Sequence, residues 1–159
     1  MVPEIKTILY ISDIEKGSRP AFRSAVSLAT AHQARIVFLH VVEPLHTNAV
    51  NIVRNIIGRD ELHALHQEGL EHIKATMRER IDRFWKEESL PDGQPLSPAN
   101  LDYRVHEGIV WEEVQDTVEE VSADLIVMGC RRHHKLNTLG SIAHSILNHS
   151  HIPVHIVPL

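Results

Sequence analysis

Gly129 and the pair Gly140-Ser141 bracket a short segment that carries Arg131, Arg132, His133, His134 and Lys135. Glycine lets a backbone come close to an anion, and the amides at a helix start aim their N–H groups and the positive dipole end at it. Arginine forks match phosphate oxygens in pairs. A basic loop between glycines, opening a helix at Gly140, Ser141 and Ile142, is therefore chemistry for holding a phosphate group. The basic run alone is equally a solvated loop, and Ser141 alone is equally a helix cap.

Other chemistry-bearing residues point to less. Thirteen histidines are many for 159 residues. His63 with His66, and His144 with His149 and His151, invite a metal reading, but no cysteine or carboxylate set at ligand spacing completes a tetrahedral site. No Gly-x-Ser-x-Gly elbow presents a hydrolase nucleophile, so no catalytic residue is assigned. Cys130 is the only cysteine. It reads as a small buried residue at a strand end, and it allows no internal disulfide. Trp111 reads as packing beside an apolar helix stripe.

These residues need elements to position them. Ile5 to Ile11, Ile36 to Val42, Leu101 to His106, Asp124 to Gly129 and Val154 to Val157 are short β-rich runs. Between them, Phe22, Ala25, Val26 and Ala29 recur at helical spacing, with Ser18 placed to cap and Pro20 in the first turn. A long amphipathic helix spans Asp60 to Trp85, Val110, Val114 and Val118 mark another, and Gly140 to His149 supplies a fourth. Pro91 to Pro98 holds three prolines and a glycine and reads as a surface loop. The predicted order, β-α-β-α-β-α-β-α-β, calls for an open parallel sheet with helices on both faces. In such sheets ligands sit beyond the carboxyl ends of the strands where the winding reverses, which singles out Asp13, Val41 to Glu43, and Gly129 onward.

Bulk properties bound the function. A hydrophobic content of 43% and a charged content of 23% fit a globular protein, and one domain over residues 1–159 is expected. A formal charge of −5 offers no broad positive field for a nucleic acid. No apolar run approaches the roughly 20 residues needed to span a bilayer. The absence of a leader pattern after Met1 and the lone cysteine lead us to expect a cytoplasmic location.

The segment Asp124-Leu125-Ile126-Val127-Met128-Gly129, with Gly140-Ser141-Ile142-Ala143 and Ile152-Pro153-Val154-His155-Ile156-Val157, closely resembles the carboxyl-terminal signature of the universal stress protein family. Ile8 to Asp13, Leu39 to Pro44 and Gly108 match its other landmarks, so the resemblance runs over essentially the whole chain. It implies a five-stranded parallel sheet of order 3-2-1-4-5, of the adenine nucleotide alpha hydrolase-like kind. It also implies that Asp13 meets the adenosine end of ATP, that the backbone at Val41 bonds adenine, and that Gly129 and Gly140 to Ile142 hold ribose and phosphates, with magnesium accompanying the nucleotide. A homodimer through the last strand is the expected assembly.

The chain departs from the family's phosphate-loop pattern of a glycine, two residues, a glycine, nine residues, then glycine and serine or threonine. Arg132 holds the second glycine position, and seven residues rather than nine separate it from Gly140. Arg131 and Arg132 bring donors that offset the lost backbone approach. Two functions follow as expectations: a regulatory stress-response module that binds an adenine nucleotide, or a nucleotide-free interaction protein whose shortened loop has closed the pocket. A third, weak ATP hydrolysis or self-phosphorylation on Ser141, lacks a general base and a magnesium carboxylate beside the loop.

Overall fold

Ile8, Leu9, Tyr10 and Ile11 are all buried, which requires cover on both faces of the strand they form. That strand is β1 (Thr7–Ile11), and it is central. The elements that follow it are α1 (Arg19–His32), β2 (Arg35–Val42), α2 (Thr47–Ile57), α3 (Arg59–Glu87), β3 (Leu101–Glu107), α4 (Val110–Val121), β4 (Leu125–Cys130), α5 (Ser141–His149) and β5 (Val154–Pro158). These come from a computed structural model, which describes residues 1–12, 17–93, 100–131 and 139–159. Residues 1–43 with 99–159 form one unit and residues 44–98 another.

In the first unit the five strands are parallel in the order β3-β2-β1-β4-β5, as expected. Ile11, the last residue of β1, lies level with Leu39 in β2 and Met128 in β4. Alternation along the strands separates two apolar layers. On one face Tyr10 and Phe38 meet Phe22 of α1, with ring centroids 5.0 to 5.3 Å apart. On the other, Leu9, Ile11, Val37, Leu39, Ile126 and Met128 pack with Val114 and Val121 of α4 and Ala143 and Ile146 of α5. Ser18 precedes α1 as expected, but its hydroxyl makes no cap hydrogen bond.

The amino edge of the sheet is tied by side chains whose role the strand patterns do not announce. Asp124 Oδ2 accepts the backbone N–H groups of Lys6 at 2.8 Å and Thr7 at 2.9 Å, while its own N–H donates to Thr7 O. Arg35 donates through Nε to Thr7 Oγ1 and through a terminal nitrogen to Val121 O. The starts of β1, β2 and β4 are thereby held in register.

In the second unit, α2 is an element the sequence analysis did not anticipate. One helix was expected between β2 and β3, and two are found. Gly58, at φ 88° and ψ 166°, separates them, because a left-handed backbone angle at that residue ends one helix and redirects the chain into the next.

Candidate functional site

The carboxyl edge of the sheet, at the winding reversal between β1 and β4, brings together several of the expected residues. Asp13 and Arg132 lie outside the described residues. Beyond β1, the Ser12 N–H still donates to Leu39 O at 2.7 Å, and His40 of β2 turns its Nδ1 toward Ser12 O, 3.4 Å away. A half-buried imidazole therefore faces the residue just before Asp13. Val41 lies level with His106 of β3, and its side chain packs against the core. Side chains alternate along the strand, so His40 and Val41 face opposite sides of the sheet.

Beyond β4, Arg131 is exposed and reaches back to the segment after β1. Its guanidinium lies 3.6 Å from the point where a Cβ on Gly17 would stand, and Gly17 has φ 95°. Gly17 after β1 and Arg131 after β4 thus lie together, a juxtaposition of residues more than a hundred positions apart.

The two glycines of the expected phosphate loop have different physical reasons. A Cβ on Gly129 would lie 2.6 Å from Leu159 Cδ1 and 3.2 Å from the Ala21 Cβ, so glycine there makes room for the Leu159 side chain inside the chain. The Leu159 backbone is held in turn by its N–H, which donates to Cys130 O at 3.0 Å. Among the described residues, a Cβ on Gly140 would meet Cys130 Sγ at 3.8 Å and Arg131 O at 3.9 Å, which are ordinary contacts. At φ −60° and ψ 158° its backbone is open to any residue. Nothing among the described residues requires glycine at 140.

Gly140 nevertheless does not offer its own amide. That N–H donates to Cys130 Sγ at 3.3 Å, and the thiol donates to Arg131 O at 3.7 Å. The helical ladder of α5 begins with His144 N–H to Gly140 O, and the helix has no side-chain cap. The first-turn amides of Ser141, Ile142 and Ala143 therefore lie outside the ladder, and Ser141 and Ile142 are exposed. The expectation that three successive amides face an anion reduces to two, because the buried sulfur takes the first.

The site is thus an exposed arginine beside a left-handed glycine, an uncapped helix start whose first three amides lie outside the ladder, and a half-buried histidine on β2. The arginine fork and the helix start are both groups that attract an anion. The universal stress protein family model matches residues 4–158. The chain belongs to the universal stress protein family. A universal stress protein of Synechocystis is 30% identical over 156 residues, which cover 96% of this chain and 85% of that one. Universal stress protein UspA from Lactobacillus plantarum is 26% identical and superposes with a TM-score of 0.67 over 98% of this chain and 99% of that one. A universal stress protein solved in complex with cAMP has the same fold, with a TM-score of 0.64 at 20% identity over 98% of both chains.

The remaining family landmark also has a local cause. A Cβ on Gly108 would lie 2.5 Å from Glu113 Oε1, so glycine after β3 leaves room for that side chain. Glu113 Oε2 sits 3.2 Å from His106 Nδ1, and the buried Thr117 donates its hydroxyl to Glu113 O at 2.6 Å. Two histidines elsewhere in this universal stress protein likewise have structural partners. His149 stacks on Trp111 with centroids 3.9 Å apart, and His155 Nε2 lies 2.8 Å from Ser24 Oγ. No group of three or more histidine, cysteine or carboxylate side chains is placed to hold a metal among the described residues. No described helix is long and apolar enough to cross a membrane.

His40 and the Cys130 thiol escaped the sequence analysis as site residues. Only the position of His40, immediately before Val41 at the carboxyl end of a strand, carried a signal. The bond from Gly140 to Cys130 carried none, because it depends on how the chain returns from β4 to α5.

Proposed function

We propose that this chain is a cytoplasmic, single-domain regulatory protein of the stress response, homodimeric through β5, that binds an adenine nucleotide at the carboxyl edge of the sheet. The observation that carries this reading is the start of α5. Packing among the described residues does not demand glycine at 140, and the Ser141, Ile142 and Ala143 amides beside it have no place in the helical ladder. An anionic phosphate suits that helix start, and Arg131 adds a cationic fork nearby. The relative solved with cAMP supports an adenine nucleotide as the class of ligand. Asp13, Val41 and Gly129 complete the assigned set, with Arg132 beside Arg131. ATP, accompanied by magnesium, would bring the phosphate charge that the helix start and arginines attract, and these residues would bind and orient it.

A second reading, a nucleotide-free interaction protein, draws on Gly129. The Leu159 side chain and Ala21 fill the space beside it, so this glycine leaves no gap on that face for a ligand.

Titration calorimetry with ATP decides between them. We expect heat of binding from the natural chain, and a loss of affinity of about tenfold or more in Gly140→Val and in Asp13→Ala, since each removes backbone access or a polar contact. No heat with ATP, ADP, AMP or cAMP, and no thermal shift with any of them, would overturn nucleotide binding in favour of the second reading.

A further inference from the structure

We propose that α2 is a self-association surface that takes a second copy of this chain. Six of its 11 residues are apolar, yet none is buried. The apolar positions form two adjacent stripes at helical spacing. Val50, Val53 and Ile57 are half-buried, whereas Ile52 and Ile56 are 60% and 76% exposed beside Ala49. Leu45 before the helix and Leu65 on α3 are 67% and 55% exposed. A helix in water turns one apolar stripe toward its core, and this helix carries a second stripe that is exposed among the described residues.

Charge selects the occupant. The polar face of α2 consists of Thr47, Asn48, Asn51, Arg54 and Asn55, a single cation among neutral groups. A helix built to lie on an anionic membrane carries lysines and arginines along that face, and here Asp60 and Glu61 follow at the start of α3. Two copies of α2 related by a twofold axis, in contrast, bring Ile52 and Ile56 against each other without opposing like charges, and each favourable contact occurs twice. Area sets the strength. The helix is about 16 Å long at about 1.5 Å per residue, so two such stripes with their leucine margins bury on the order of 1,000 Å², the low end for specific complexes. The association is therefore reversible and concentration-dependent, and it is separate from any pairing through β5.

Sedimentation equilibrium of the full chain across a concentration series tests this. The natural chain should gain mass with concentration. The double variant Ile52→Glu/Ile56→Glu should require at least about tenfold higher concentration for the same gain, because it buries carboxylates in the contact, with an unchanged circular dichroism spectrum. As a second measurement that leaves the fold intact, Ile56→Cys in a Cys130→Ser background should form a disulfide-linked dimer on mild oxidation, and Asn51→Cys on the opposite face should not. Mass that does not rise with concentration, a double variant that associates like the natural chain, or equal cross-linking at positions 51 and 56 would each overturn the proposal.

Discussion

Gly129 and Gly140 look alike in the sequence as the two ends of a phosphate loop, but their surroundings predict opposite responses to one added methyl group. Gly129→Ala drives a Cβ to within 2.6 Å of Leu159, and relief requires the Leu159 side chain to leave its packed position while Ala21 gives slightly. We expect a loss of about 1–3 kcal/mol in denaturant unfolding. Gly140→Ala places its Cβ at ordinary contact distances and should stay within about 0.5 kcal/mol of the natural chain, while weakening nucleotide binding. A Gly140→Ala protein as destabilised as Gly129→Ala would show that the fold, not a ligand, requires both. Cys130 provides a related test. Cys130→Ala leaves the Gly140 N–H without its acceptor and opens a small gap at a buried position, which should cost about 1–2 kcal/mol by thermal unfolding. The positions of these residues were legible in the sequence, but the reason for each was not. Leu159 is thirty residues from Gly129, and Cys130 lies ten residues from Gly140.

At the scale of elements, the apolar runs from Ile5, Ile36 and Asp124 declared the inner strands, because a strand covered on both faces must be apolar, while alternation declared the edge strand from Leu101 and the short run from Val154 the last. Their order came from the family resemblance, since several right-handed arrangements satisfy the same runs. The helix α2 was missed despite Ala49, Val50, Ile52, Val53, Ile56 and Ile57 at helical spacing. Its polar residues are mostly asparagine, a weak helix former, and no capping side chain marks its start. What aligns the strands is also hidden from periodicity. Asp124 reads as the polar start of a strand, yet its carboxylate holds two N–H groups of the chain entering β1. Asp124→Ala strands both donors, one of them part-buried, and should lower stability by about 2–3 kcal/mol. Asp124→Asn keeps one acceptor oxygen and should recover part of that loss. A stability for Asp124→Ala within about 0.5 kcal/mol of the natural chain would show that water replaces the carboxylate at this edge.

For the whole molecule, the exposed flank of the sheet decides whether the proposed homodimer can form. In the ladder between β4 and β5 the Ile126 N–H donates to Pro153 O and the Leu159 N–H to Cys130 O. Parallel pairing alternates, so His155, Val157 and Leu159 direct their N–H groups inward to β4, and Val154 and Ile156 direct theirs outward. Pro158, which has no N–H to offer, occupies the next outward position, where a proline costs no bond to β4. Two outward donors therefore remain for a partner strand. Val154→Pro removes one of them without touching the bonds to β4, so a drop in dimer mass in this variant cannot be blamed on a broken sheet. We expect light scattering at a concentration too low for α2 pairing to give the dimer mass for the natural chain and a larger monomer fraction for Val154→Pro, with both melting within about 2 °C of each other once monomeric. An unchanged mass would remove β5 as the contact. A dimer through β5 also bears on the nucleotide, because Gly129 and Cys130 pair directly with Val157 and Pro158. Any strain that pairing imposes on β5 reaches the strand end from which Arg131 and the Gly140 amide are held. Comparing ATP affinity between the natural chain and Val154→Pro measures that link: equal affinities would mean that assembly and binding are independent, and a weaker monomer would mean that dimerisation helps to set the site.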